Sequence, residues 1–157
     1  MVRLSTSIFT VLSILCTTAS AGHSISVNNQ CGYGTPTLSA PFTNGQPTNI
    51  AGGYSSSGDL TGFIIYLQNG NQCGANGENC LILEGTLNNG YSSVDISKIP
   101  PHSFNSPLAF SYTNGAGGRS CNSASCQCDY AAFCKTDDYG AQVGSPDPNA
   151  SITVTFC

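Results

Sequence analysis

The stretch from Leu81 to Ile96 limits the fold of this chain more than any other. Asn89 and Gly90 form its strongest short hairpin signal, because a two-residue type I′ turn needs φ > 0 at both central positions. With those residues at the turn the register follows: Leu83 faces Ile96, Gly85 faces Val94 and Leu87 faces Ser92. Side chains alternate along a strand, so Leu81, Leu83, Leu87, Val94 and Ile96 share one apolar face. The other face sets Glu84 opposite Asp95 and Thr86 opposite Ser93, with Tyr91 beside Asn88. Like charges opposed on a hairpin are destabilising by up to roughly 1 kcal/mol. A broken local rule of this kind marks a place to look for function.

Residues 1–21 have the organisation of a secretory signal peptide. Arg3 gives the positive start, Ile8 to Cys16 the apolar core, and Ala19, Ser20 and Ala21 the small-residue cleavage site. The expected mature chain is a single disulfide-rich domain, residues 22–157, secreted to the extracellular space. The apolar run is shorter than the ~20 residues that cross a bilayer, and no later segment approaches that length, so no membrane insertion is expected. Removal of Cys16 leaves Cys31, Cys73, Cys80, Cys121, Cys126, Cys128, Cys134 and Cys157, an even set that implies four disulfides in an oxidising compartment. Cys73 and Cys80 bracket a loop rich in Gly and Asn and are expected to close it. The spacing of Cys121, Cys126, Cys128 and Cys134 would also suit zinc, but disulfides dominate outside the cell; no metal or cofactor is implied.

Once Arg3 is removed, three basic residues face eight acidic ones, a net charge of −5. Nucleic acid and anionic membrane both require a basic footprint, so neither is an expected partner. Large aliphatic residues are sparse and Trp is absent. Disulfides worth on the order of 2–4 kcal/mol each would reinforce a thin core.

The alternating segment His23 to Asn28 reads as a first strand, and the turn-rich stretch from Gly32 to Gly62 leaves room for two or three short ones. Phe63 to Leu67 is a continuous apolar run of strand length, expected to be covered on both faces. Leu108, Phe110 and Tyr112 alternate in another strand, as do Ile152, Val154 and Phe156 in a last one. From Asn122 the spacing turns helical: Cys126, Tyr130, Phe133 and Cys134 fall on one face, with Asn122 or Ser123 as N-cap. The predicted class is mainly β (β-rich α+β), an antiparallel sheet or sandwich with one or two short disulfide-stapled helices. His23 and His102 are expected at the surface, and Asn149 heads an exposed N-glycosylation sequon.

The order of features resembles a shortened thaumatin-like protein. The resemblance runs from Val27 and Asn28 before Cys31, through Leu83, Glu84, Gly85 and Leu87, to Asp95, Ile96 and Ser97. It continues through Phe104, Asn105, Pro107, Phe110, Ser111, Arg119, Ser120, Cys121 and Cys126, and closes with Val154 to Cys157. Cys31 to Leu38, Tyr66 to Gln68 and Asp95 to His102 are also similar to a group of small cysteine-rich secreted mushroom proteins, the "glycopeptides", some of them lectin-like. The thaumatin-like resemblance implies a β-sandwich with an acidic cleft for β-1,3-glucan, in which Glu84 and Asp95 match two cleft acids. It also implies pairing of Cys31 with Cys157 and Cys73 with Cys80, with the remaining four cysteines paired among themselves. The next cleft acid is missing from Lys98 to His102, and the cleft arginine is missing from Phe63 to Leu67.

Three functions fit these residues. The first is a secreted, lectin-like carbohydrate-binding protein for cell-wall or N-acetylhexosamine-containing glycans or glycoproteins, using Glu84, Asp95, Tyr91, Thr86 and Ser93 without catalysis. The second is a weak β-1,3-glucanase, antifungal in the thaumatin-like manner. Cross-strand opposition sets the Cβ atoms of Glu84 and Asp95 ~5 Å apart, compatible with the ~5–5.5 Å carboxyl separation of retaining glycosidases. The third is a non-enzymatic secreted effector or defence protein for which the two acids are incidental.

Overall fold

The computed structural model describes residues 22–157; the expected signal segment and its cleavage site lie outside the described residues. The strands are β1 (His23–Asn29), β2 (Thr35–Ser39), β3 (Thr48–Asn49), β4 (Tyr54–Ser56), β5 (Leu60–Gln68), β6 (Ile82–Leu87), β7 (Ser92–Ser97), β8 (Leu108–Tyr112), β9 (Gly118–Cys121), β10 (Val143–Ser145) and β11 (Ile152–Phe156). They form a five-stranded sheet in the order β4-β1-β11-β8-β9 and a six-stranded sheet in the order β10-β7-β6-β5-β2-β3. The two inner faces meet in one apolar core that includes Ile25, Leu38, Phe63, Leu83, Val94, Ile96, Phe110, Val154 and Phe156. This is a mainly β sandwich, as expected.

The hairpin forms in the predicted register, with Leu83 on Ile96, Glu84 on Asp95, Gly85 on Val94 and Thr86 on Ser93. Leu81, Leu83, Leu87, Val94 and Ile96, the predicted apolar face, all enter the core. The turn differs from expectation, since neither Asn89 nor Gly90 takes a positive φ. Instead, Asn88 Oδ1 accepts the backbone N–H groups of Gly90 (2.9 Å) and Tyr91 (2.7 Å), and Ser92 Oγ accepts the N–H of Asn88 (3.1 Å). An Asn side chain that mimics a backbone turn does the work expected of left-handed residues. Gly85 is needed for close approach: a Cβ there would lie 2.8 Å from the Ser93 carbonyl oxygen and 3.1 Å from Phe63 Cζ.

β5 is covered on both faces. Phe63, Ile65 and Leu67 enter the main core, while Tyr66 and partly buried Ile64 join Ile82, Cys73 and Cys80 in a second apolar cluster. The Cys73–Cys80 loop supplies that cover. Gln68 holds it down by donating from Nε2 to the Cys73 carbonyl (2.8 Å) and accepting the Cys73 N–H (2.9 Å).

β1 and β11 run parallel, Ile25 beside Ile152 and Val27 beside Val154, and Cys31–Cys157 joins their ends. The other strand pairs are antiparallel. Cys121 pairs with Cys126 and Cys128 with Cys134. The expected helix from Asn122 is not formed: the helical segments among the described residues are the 3₁₀ turns Pro41–Thr43 and Tyr139–Ala141. Two tethers explain this. Asp129 takes a left-handed φ of 58°, and Phe133 is drawn onto the end of β7, donating to the Ile96 carbonyl (2.8 Å) and accepting from the Lys98 N–H (2.9 Å). The backbone bonds a helix would use are spent on the sheet.

His23 is also corrected. It is buried rather than superficial, with Nδ1 donating to the Ala150 carbonyl (2.8 Å) and Nε2 3.7 Å from Asp59 Oδ1. Asn149 is exposed in the turn before β11.

Candidate functional site

Alternation places Glu84 and Thr86 of β6, and Ser93 and Asp95 of β7, on the outer face of the six-stranded sheet. Ile64 of β5 stands on the other side of Glu84. With Gly62 and Gln142 these residues line a shallow depression of about 330 Å³. An adjoining depression of about 390 Å³ shares Gly62, Ile64 and Glu84 and extends to Ser39, Pro41, Asn76 and His102. Glu84 thus lies where two halves of a trough meet. His102 Nδ1 donates to the Gly77 carbonyl (2.9 Å), which fixes the ring at the far end.

The two acids are not equivalent. Asp95 is 8 % exposed, whereas Glu84 is only partly buried. Burial, with the Glu84 charge as the second cause, pushes the Asp95 carboxyl up to about 8. Asp95 Oδ1 has no hydrogen-bond partner, and neither does Ser93 Oγ, two residues away on the same face of β7. A buried unsatisfied polar atom costs about 1–3 kcal/mol. Two of them side by side in a depression point to a function.

Among the predicted site residues, Glu84, Asp95, Thr86 and Ser93 all line the trough. Thr86 is partly committed, because its Oγ1 accepts the Gly62 N–H (3.1 Å) where β5 shifts register between Leu60 and Phe63. Tyr91 is 60 % exposed at the turn, and its hydroxyl lies over Gly144 of β10, where a Cβ would collide with it. Ile64, Gln142 and His102 were not anticipated. Their positions depend on which strands neighbour the hairpin, and no local pattern carries that.

Burial also raises the Tyr112 hydroxyl, with smaller contributions from Tyr91 and Asp95; Tyr112 donates to the Val143 carbonyl (3.2 Å). This bond ties β8 of one sheet to β10 of the other near the buried acid. Cys128, Cys134 and Asp138 lie close enough to hold a metal, but both sulfurs are bound in a disulfide, and Asp138 Oδ2 accepts the N–H groups of Cys134 (2.8 Å) and Lys135 (3.2 Å).

Comparison with known proteins identifies the fold. No family model matches the chain, and no curated relative matches it. Among solved structures, the thaumatin-like xylanase inhibitor TLXI superposes with a TM-score of 0.57 at 16 % identity, covering 85 % of this chain and 98 % of that one. The chain has a thaumatin-like fold.

Proposed function

We propose that this is a secreted, non-catalytic carbohydrate-binding protein of defence or cell-surface interaction, which reads cell-wall or N-acetylhexosamine-containing glycans in the Glu84–Asp95 trough. The observation that carries the reading is the adjacent pair of unpartnered buried atoms, Asp95 Oδ1 and Ser93 Oγ. Both atoms are closed to solvent in the free protein; a small side-chain rotation on binding brings them to a pyranose edge, whose hydroxyls both donate and accept. Glu84, next in register, accepts from a neighbouring hydroxyl, and the exposed ring of Tyr91, which lines neither half of the trough but lies beside it over Gly144 of β10, offers an apolar surface at its edge. A few convergent polar groups beside an aromatic surface on a rigid frame is the usual composition of a small-ligand site. The fold shared with TLXI, named as a xylanase inhibitor, supports the defence part of this reading, and the glycan part draws on the sequence resemblance to the lectin-like mushroom glycopeptides.

Recognition is favoured over hydrolysis by what the trough does not offer. Ile64 occupies the outer face of β5 next to Glu84, and the stretch Phe63 to Leu67 lacks the arginine that the thaumatin-like resemblance implies on this strand. Neither half of the trough is lined by a third carboxylate or by Lys or Arg. A glycan array followed by calorimetry tests the proposal. Binding to a defined glycan class, weakened tenfold or more by Asp95→Ala and by Tyr91→Ala, is expected. Binding to no fungal, plant or N-acetylhexosamine glycan would overturn it.

A further inference from the structure

A second depression, of about 440 Å³, lies on the opposite side of the sandwich, against the outer face of the five-stranded sheet. Its floor is set by register: Thr153 of β11 lies beside Ser111 of β8, and Thr155 lies beside Ala109, which neighbours Ser120 of β9. The floor therefore presents hydroxyls and methyl groups with no carboxylate or ammonium. One wall is the ring of Tyr130, 60 % exposed, with the Arg119 guanidinium carbon 5.1 Å from its centroid. Arg119 is itself tied down: Nη1 donates to the Gly118 carbonyl and Nη2 to the Gly140 carbonyl, both at 2.9 Å. Its Nε is buried without a partner.

We infer that this depression is a second binding site, for a neutral glycan, with Tyr130 as its stacking platform. The chemistry of the lining selects the ligand class. A pyranose has apolar faces and polar edges, which suits an exposed ring standing beside a floor of Ser and Thr hydroxyls. The one cation is already engaged by a ring and two carbonyls, and the whole chain is acidic, so a polyanion gains nothing here. A ring fixed by a cation–π contact loses little freedom on binding, which favours affinity. The site shares no residue with the acidic trough, so either can hold without the other.

The test is amide chemical-shift mapping of the ¹⁵N-labelled secreted protein titrated with chitohexaose, xylohexaose and laminarihexaose in turn. At least one oligosaccharide is expected to shift Ser111, Ser120, Thr153 and Thr155 saturably. That response should persist in Asp95→Ala, remain in Tyr130→Phe and weaken tenfold or more in Tyr130→Ala. Tyr130 is exposed, and an unchanged circular dichroism spectrum will show that the variants fold. Shifts confined to Glu84 and Asp95 would overturn the second site and leave the trough standing. Shifts confined to the Tyr130 face would do the reverse. No shift with any of the three, or an undiminished response in Tyr130→Ala, would overturn it as well.

Discussion

Glu84 and Asp95 face each other across β6 and β7, yet only Asp95 is taken out of water. The hairpin therefore holds Asp95 as a carboxylic acid near neutral pH, a hydrogen-bond donor set opposite Glu84. The like-charge conflict legible in the sequence is relieved by a proton.

That proton makes stability depend on pH. The folded protein holds it on Asp95 up to about pH 8, while the unfolded chain releases it near the ordinary Asp value of about 3.9. Between those values the native state binds more protons, so stability falls as pH rises from about 4 to 8 and then levels. Glu78 and Asp147, held low by hydrogen bonds, act in the opposite direction and only at more acid pH. Thermal melts at pH 4.5 and 8 are expected to show a lower Tm at pH 8. Asp95→Asn should flatten most of that slope; an equally steep slope in the variant would refute the assignment.

Glu84→Gln separates the two causes of the Asp95 shift. Burial is the larger, so the carboxyl of Asp95 should fall on removal of the Glu84 charge but stay above the usual carboxylate range. A ¹³C carboxyl titration reads this directly. Collapse to an ordinary Asp value would mean that the charge, not burial, dominates.

Gly85 keeps the acid pair in register. Gly85→Ala drives a Cβ toward the Ser93 carbonyl and the Phe63 ring, an overpacking that costs about 1–3 kcal/mol. Urea unfolding should show a lower midpoint, and glycan binding in the trough should weaken with it.

Reducing-sugar release from β-1,3-glucan is expected at background level, with no change in Glu84→Gln. Measurable release abolished by that substitution would transfer the trough from recognition to catalysis.

The disulfides should differ in worth. Cys31–Cys157 closes a separation of 126 residues and Cys73–Cys80 one of 7. The chain-entropy relation gives the longer loop about 2–3 kcal/mol more stabilisation. Paired Cys→Ser variants compared by denaturant unfolding should show that order.

The hairpin was legible because parity is a local property: once Leu87 and Ser92 flank the turn, every opposed pair from Thr86–Ser93 to Ile82–Ser97 follows. Its turn type was not legible, since Asn88 competes with Asn89 and Gly90 for the same backbone groups. The helical spacing of Cys126, Tyr130, Phe133 and Cys134 misled for a non-local reason, the capture of Phe133 by β7. β9 and β10 escaped notice because three- and four-residue strands hold too few side chains to show a period. The acids of the site could be read from residues 81–96 alone. Its two flanks, Ile64 on β5 beside Glu84 and Gln142 just before β10 beside β7, depend on strand neighbours that only the folded chain reveals.

The parallel pairing of β1 with β11 has a consequence for biosynthesis. β1 is the first strand to leave the ribosome, yet its sheet partner is the last. Until β11 arrives, β1 can pair only with the three residues of β4, and β8 and β9 have no link to it. The five-stranded sheet therefore closes only once Ile152–Phe156 has emerged, and a chain stalled or clipped before Ile152 leaves one layer of the sandwich unassembled. Such a chain would leave the inner face of the six-stranded sheet uncovered even with its whole hairpin intact.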